Sequence, residues 1–170
     1  MELLSLKGKK IQYCIGCLAC LKTGKCVQKD DAPEIMEKLR RADVLFFATP
    51  IYYYEMCGQM KTLLDRMNPL YSSDYAFREV YMIATAADGG DATFEKAYNG
   101  LQGWVDCFPK AKLCGLVAGA KIGDPSRSFG WRQCAPFSWE SPSIVILSEQ
   151  KIVPESNEYI QQETNHNKLL

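Results

Sequence analysis

Only one histidine, His166, occurs in the 170 residues, and it sits in a polar tail. A hydrolase that depends on a histidine base is therefore disfavoured. Positive and negative charges cancel to a net of zero, with no basic arm and no block of like charge. The electrostatic footprint of strong nucleic-acid binding is missing. No apolar run approaches the roughly 20 residues of a membrane helix. The opening "MELLSLKGKK" is too short and wrongly ordered for a signal peptide. The chain reads as cytoplasmic, with neither nucleic acid nor membrane as a partner. Internal repeats are absent as well.

Cysteine, by contrast, is plentiful, with eight in the chain. In a reducing cytosol these are thiols or metal ligands rather than a disulfide framework. Length and an apolar content of 47% are enough for one domain with a real core.

Along the chain, strand-like and helix-like patterns alternate. Glu2–Leu6 reads as a short strand. A helix follows from Asp31 as N-cap, with Pro33 and Glu34 in its first turn and a stripe of Ile35, Met36 and Leu39. Asp43–Pro50 is a continuous apolar run, the pattern of a strand buried on both faces. Glu55–Met67 returns to helical spacing, with Met56, Met60, Leu63, Leu64 and Met67 facing inward. Glu79–Ala86 and Ala111–Ala120 read as two more buried strands. Between them lies a weaker helix, in which Gly100 and Gly103 each cost about 1 kcal/mol against Ala. This alternation argues an α/β doubly wound sheet. After Pro125 the pattern fails, apart from the candidate strand Ser143–Leu147. The last residues read as a frayed helix or a disordered tail.

In an open α/β sheet, ligands bind beyond the carboxyl ends of the strands. Attention therefore falls on Thr49–Gly58, Ala86–Asp91 and Ala118–Asp124. Three consecutive tyrosines follow Thr49-Pro50. Backbone amides and aromatic faces there suit a flat, hydrogen-bonding heterocycle. An ordinary aromatic loop or a dimer contact fits equally well.

Cys14, Cys17, Cys20 and Cys26 are spaced C-x2-C-x2-C-x5-C. Three thiolates at intervals of three can wrap one compact cluster, and the fourth closes the cage after the turn at Gly24. Bacterial ferredoxins open in nearly the same way around a 4Fe–4S cluster. Structural zinc usually pairs two knuckles across a longer insert. A redox pair would leave two cysteines idle, and small packing residues are the plainest alternative. The spacing favours iron–sulfur over zinc. Cys57, Cys107, Cys114 and Cys134 read mostly as core, although Cys57 lies in the candidate ligand loop. Lys61 and Asp65 read as a surface ion pair on a helix that also carries Arg66.

The ordered combination "CIGCLACLKTGKCVQKDD", "LRRADVLFFATPIYY" and "MKTLLDR" resembles the NADPH-dependent FMN reductase and iron–sulfur flavoprotein group of the flavodoxin-like superfamily, over about Met1 to Asp124. The resemblance implies a flavodoxin-like three-layer sandwich with a parallel sheet of order 2-1-3-4-5, non-covalent FMN, and homodimers or homotetramers. Thr49, Pro50, Ile51, Tyr52 and Tyr53 would wrap the isoalloxazine ring with backbone amides. Ala86, Ala87, Asp88 and Gly89 would lie on its other flank. In the iron–sulfur members, the cysteines matching Cys14, Cys17, Cys20 and Cys26 ligate a 4Fe–4S cluster that exchanges electrons with FMN. NAD(P)H or a reduced redox protein such as ferredoxin would deliver electrons. A quinone, a nitro compound, O₂ or another carrier would accept them. No side chain need act as a catalytic acid or base.

Two departures bear on this expectation. The family's opening strand, its GSPRxxGNT-type phosphate loop and the following helix have no match in this sequence. That unit supplies the central strand and the groups that bind the FMN phosphate. The end differs too, because "PSRSFGWRQCAPF" does not resemble the family's final helix. The expected division is a partial FMN-binding domain over 1–124, with the cysteine loop at 14–26, and an atypical segment over 125–170. Either the chain is a truncated and frame-disturbed product, the preferred expectation, or "SIVILSEQK" fills the empty central slot as in a circular permutation. The rival to the enzyme is a non-catalytic fragment or a cysteine-rich metal-binding interaction module.

Overall fold

The computed structural model describes residues 1–120 and 143–147. Its elements run β1 (Glu2–Ser5), α1 (Ala19–Thr23), α2 (Ala32–Arg41), β2 (Val44–Tyr52), β3 (Glu55–Met56), α3 (Gly58–Asp65), α4 (Asn68–Tyr71), β4 (Glu79–Thr85), α5 (Asp91–Val105), β5 (Lys112–Gly119) and β6 (Ser143–Leu147). One open sheet has the order β1-β6-β2-β4-β5, and β3 pairs with the end of β2. β2, β4 and β5 are parallel, while β6 is antiparallel to both β1 and β2.

The slot between β1 and β2 is therefore filled. Ile144 pairs with Leu4 on one side and Phe47 on the other. The expected all-parallel sheet is corrected at this one strand. The expectation that "SIVILSEQK" fills the empty central slot holds over Ser143–Leu147, with the strand running antiparallel to both neighbours. An apolar strand placed between two open edges satisfies backbone donors and acceptors on both, and antiparallel pairing does so as fully as parallel pairing. Ser143, the first residue of β6, pairs with both Ser5 and Ala48. β6 thus begins at the edge of the sheet where β2 and β4 end.

The helices form where the apolar spacing places them. Ile35, Met36 and Leu39 of α2 are buried. Asp31 stands at the N-cap position without a side-chain cap bond. Its carboxylate instead accepts the Lys10 amide at 2.6 Å, and Asp30 accepts the Ala32 amide at 3.1 Å. The expected helix from Glu55 starts later, at Gly58, because Glu55 and Met56 turn back onto β2 as β3. Met56, Met60, Leu63, Leu64 and Met67 are all buried, as their spacing predicts.

The core is one continuous cluster around Leu39, Leu45, Phe47, Leu63, Val80, Met82 and Leu101. Trp104 packs edge-on against Phe47 and stacks on Phe77. β4 buries alternate residues only. β5 differs more sharply from the expected buried strand. It is the last strand of the sheet, and its Val117 is 54% exposed. An unbroken apolar run does not by itself reveal which strand lies at an edge. Among the described residues no helix is long and apolar enough to cross a membrane. His166 and Cys134 lie outside the described residues.

Candidate functional site

The first group of candidate residues lies at the carboxyl ends of two adjacent parallel strands. Pro50 of β2 pairs with Thr85 of β4, so the segments that follow are neighbours. Thr49 is buried and its hydroxyl is fully used. It accepts the Cys57 amide at 3.0 Å and donates to the Pro50 carbonyl at 2.9 Å. Thr49 thus pins the start of α3 to the end of β2. Pro50 and Ile51 are half-buried. Tyr52 pairs with Glu55 across a two-residue turn made by Tyr53 and Tyr54, at φ 52° and 67°.

Positive φ at both central residues is what a tight hairpin of this kind requires, and glycine or asparagine normally supplies it. Here two tyrosines do, at a steric cost of roughly 1–2 kcal/mol each. Tyr53 is 99% exposed, so packing within the chain does not offset this cost. Lys96 Nζ lies 5.5 Å from the centre of the Tyr54 ring. Across from this hairpin, Ala86 is buried and donates its amide to Gly119 at 2.9 Å. Ala87, Asp88 and Gly89 are exposed, and the Asp88 carboxylate accepts the Gly89 amide at 2.8 Å. The two segments lie side by side at the carboxyl ends of β2 and β4, with Tyr52 and Tyr53 exposed at their margin.

The second group gathers at the opposite end of α3. Cys14, Cys17, Cys20 and Cys26 line one pocket, together with Arg66, Asn68 and Pro69. The loop folds inward through left-handed turns at Gly16, Leu18 and Gly24. Gly24 ends α1, donating its amide to the Cys20 carbonyl at 2.8 Å. Cys20 is buried, Cys26 partly so, and Cys14 and Cys17 are exposed. Burial pushes the Cys20 thiol up; its own backbone bond opposes this, and the nearby sulfurs of Cys26, Cys17 and Cys14 add to the rise. No described cysteine is in a disulfide.

Among the described residues, no group of three or more His, Cys, Asp or Glu side chains is arranged to hold a metal ion. Tetrahedral zinc, with Zn–S near 2.3 Å, needs its sulfurs packed within about 4 Å of one another. Four thiols lining one pocket are the donor set that a 4Fe–4S cluster would take.

Arg66 backs this pocket, and its inward turn is not visible in the sequence pattern. It follows α3 as the C-cap. Nη1 and Nη2 meet both carboxylate oxygens of Asp30 at 2.6 and 3.0 Å. Nη1 also donates to the Gln12 carbonyl at 2.8 Å. Burial alone would raise the Asp30 carboxyl, but the hydrogen bonds from Arg66 and from the Gln12 and Ala32 amides outweigh it and hold it below its usual range. Lys61 and Asp65, on the outer face of the same helix, form the expected exposed pair at 2.6 Å.

A family model described as NADPH-dependent FMN reductase matches residues 1–112. The chain belongs to this family.

The relatives of this FMN reductase family member agree. An iron–sulfur flavoprotein of Methanosarcina thermophila is 30% identical over 145 residues, covering 85% of this chain and 71% of that protein. One from Archaeoglobus fulgidus is 44% identical over 69 residues, covering 41% of this chain and 31% of its own. This family member spans about a third of the length of several curated relatives it matches. A solved structure of a candidate quinone reductase from Klebsiella pneumoniae aligns with TM-score 0.51 at 16% identity, covering 75% of this chain and 61% of that one. That likeness shows the fold, which is flavodoxin-like.

Sequence reasoning named the cysteines and the strand-end loops but missed Arg66 and Asp30. The one available signal was the pairing of a charged residue at a helix end with an acidic pair flanking the cysteine segment.

Proposed function

We propose that this family member is a flavin-dependent NAD(P)H oxidoreductase or electron-transfer iron–sulfur flavoprotein. The observation that carries this reading is the collection of Cys14, Cys17, Cys20 and Cys26 around one pocket, at the far end of the helix that Thr49 anchors to the end of β2. Bound FMN would supply two-electron chemistry and a 4Fe–4S cluster one-electron transfer. Backbone groups of Pro50, Ile51, Tyr52 and Tyr53 would orient the flavin ring on one side, and Ala86, Ala87, Asp88 and Gly89 would flank it on the other. The four cysteines would hold the cluster. α3, at 1.5 Å per residue over eight residues, spans about 12 Å from Gly58 to Asp65. The donor is NAD(P)H or a redox protein such as ferredoxin, and the acceptor a small molecule or another carrier. Exposed Tyr53 and Val117 support homo-oligomer formation.

The test is an anoxic purification, with a visible spectrum and iron, sulfide and flavin quantified on one sample. Iron and sulfide near four per chain, with flavin, are expected. Cys17→Ala should lose the iron and the broad absorbance near ~400 nm while flavin stays. Flavin without iron would reduce the cysteine loop to a structural or thiol role. Neither cofactor would overturn the reading.

A further inference from the structure

Arg66 spends its donors in an unusual way. Its side chain is 1% exposed and that of Asp30 is 2% exposed. The two-point pair already neutralises the buried cation, and the Gln12 carbonyl takes a further bond. Yet Nη2 also reaches Cys26 Sγ at 3.3 Å, and Nε, equally buried, has no partner at all. A neutral thiol is a weak acceptor and does little to repay a desolvated guanidinium donor. A thiolate bound to a cluster is a strong one, because the bond becomes charge-assisted. The donor is fixed in place by Asp30, which is itself held by the Gln12 and Ala32 amides. A second, longer contact runs from Asn68 Nδ2 to Cys14 Sγ at 3.9 Å.

We infer that Arg66 is a positioning and tuning residue that raises the reduction potential of a 4Fe–4S cluster held by Cys14, Cys17, Cys20 and Cys26. One-electron reduction adds one negative charge to the cluster and its thiolates. An N–H···S bond and a nearby fixed positive charge stabilise that added charge more than the oxidised state. Asp30 holds the guanidinium with its Nη2 against the sulfur, so the positive end of the pair is the end that faces Cys26. The inference rests on the cluster reading proposed above.

The experiment is a redox titration of anoxically purified wild type, Arg66→Gln and Arg66→Lys, with dithionite as the electron source. The cluster is followed by its electron paramagnetic resonance signal, and iron, sulfide and flavin are counted in each sample. Arg66→Gln is expected to keep its iron and to show a cluster midpoint shifted to lower potential, with the flavin midpoint unmoved. Arg66→Lys keeps the charge but loses the planar fork, and is expected to fall between the two. It also carries the test alone if Arg66→Gln does not fold. A full complement of iron with an unchanged midpoint in the variant that folds would make Arg66 purely structural and overturn the inference. Wild type without iron would instead overturn the cluster reading itself, so the two failures are distinguishable.

Discussion

The Arg66 guanidinium and the Asp30 carboxylate meet through two bonds of 2.6 and 3.0 Å, with both side chains shut away from solvent. The pair joins the C-terminal end of α3 to the segment that leads from the last cysteine into α2. The Asp30 carboxylate also accepts the Gln12 amide at 2.8 Å, so three stretches of chain converge on one carboxylate.

Removing one partner should be far worse than removing both. Asp30→Ala leaves a buried, uncompensated guanidinium and should cost about 3–5 kcal/mol. The double replacement Asp30→Leu with Arg66→Met should recover most of that loss. Urea unfolding of the two variants measures the difference; equal losses would show that the pair is not electrostatically coupled.

The hairpin tyrosines lead to a prediction of opposite sign. Tyr53 sits at φ 52° with its ring in solvent, so Tyr53→Asn removes strain and little packing. Stability should rise by up to about 1 kcal/mol, because asparagine tolerates the left-handed region. FMN affinity should fall if the ring of Tyr53 contributes to flavin binding. Thermal melts and flavin titration read the two effects separately; an unchanged melting temperature would mean that the turn stores no strain.

β6 is paired on both sides, with Val145 opposite Leu3 and Phe46. Proline cannot donate to a ladder and is confined to strand edges. Val145→Pro should therefore destabilise the whole domain by about 3 kcal/mol or more. A denaturation midpoint indifferent to this change would remove β6 from the sheet.

Glu37 answers to pH. Bonds from Arg40 and Arg41 hold its carboxyl down to about 2. The unfolded carboxyl titrates near 4.3. Its contribution to stability is therefore complete above about pH 4.3 and is lost as pH falls towards 2. Glu37 is substantially exposed, so the amount is under about 1 kcal/mol. Glu37→Gln should lower the neutral plateau of a stability–pH curve by about that much and leave its strongly acidic end almost unchanged, so the limb between them is flatter.

Much of this architecture was legible before any coordinates. The stripe of Ile35, Met36 and Leu39 and the inward set from Met56 to Met67 are periodicities, and periodicity is a local property of a chain. The cysteine spacing favoured a cluster, and the four residues line one pocket. Legibility failed where a residue's role depends on a partner far away in sequence. Glu55 and Met56 continue a helical pattern, yet they pair with β2 once the two tyrosines turn the chain back. Val117 belongs to an apolar run as convincing as that of β2, and is exposed on β5, the terminal strand of the sheet among the described residues.

The sequence by itself determined the alternation of strands and helices, the loops that follow β2 and β4, and the cysteine loop. Each of these follows from neighbouring residues, through side-chain period, turn chemistry and ligand spacing. Only the tertiary structure decided the direction of β6 and the inward turn of Arg66. A strand's direction depends on which edges are open when it arrives. A charged residue after a helix reads as solvated until a carboxylate 36 residues away is found facing it in the interior. Hydrogen bonding and desolvation are settled between distant parts of the chain, and no local pattern encodes them.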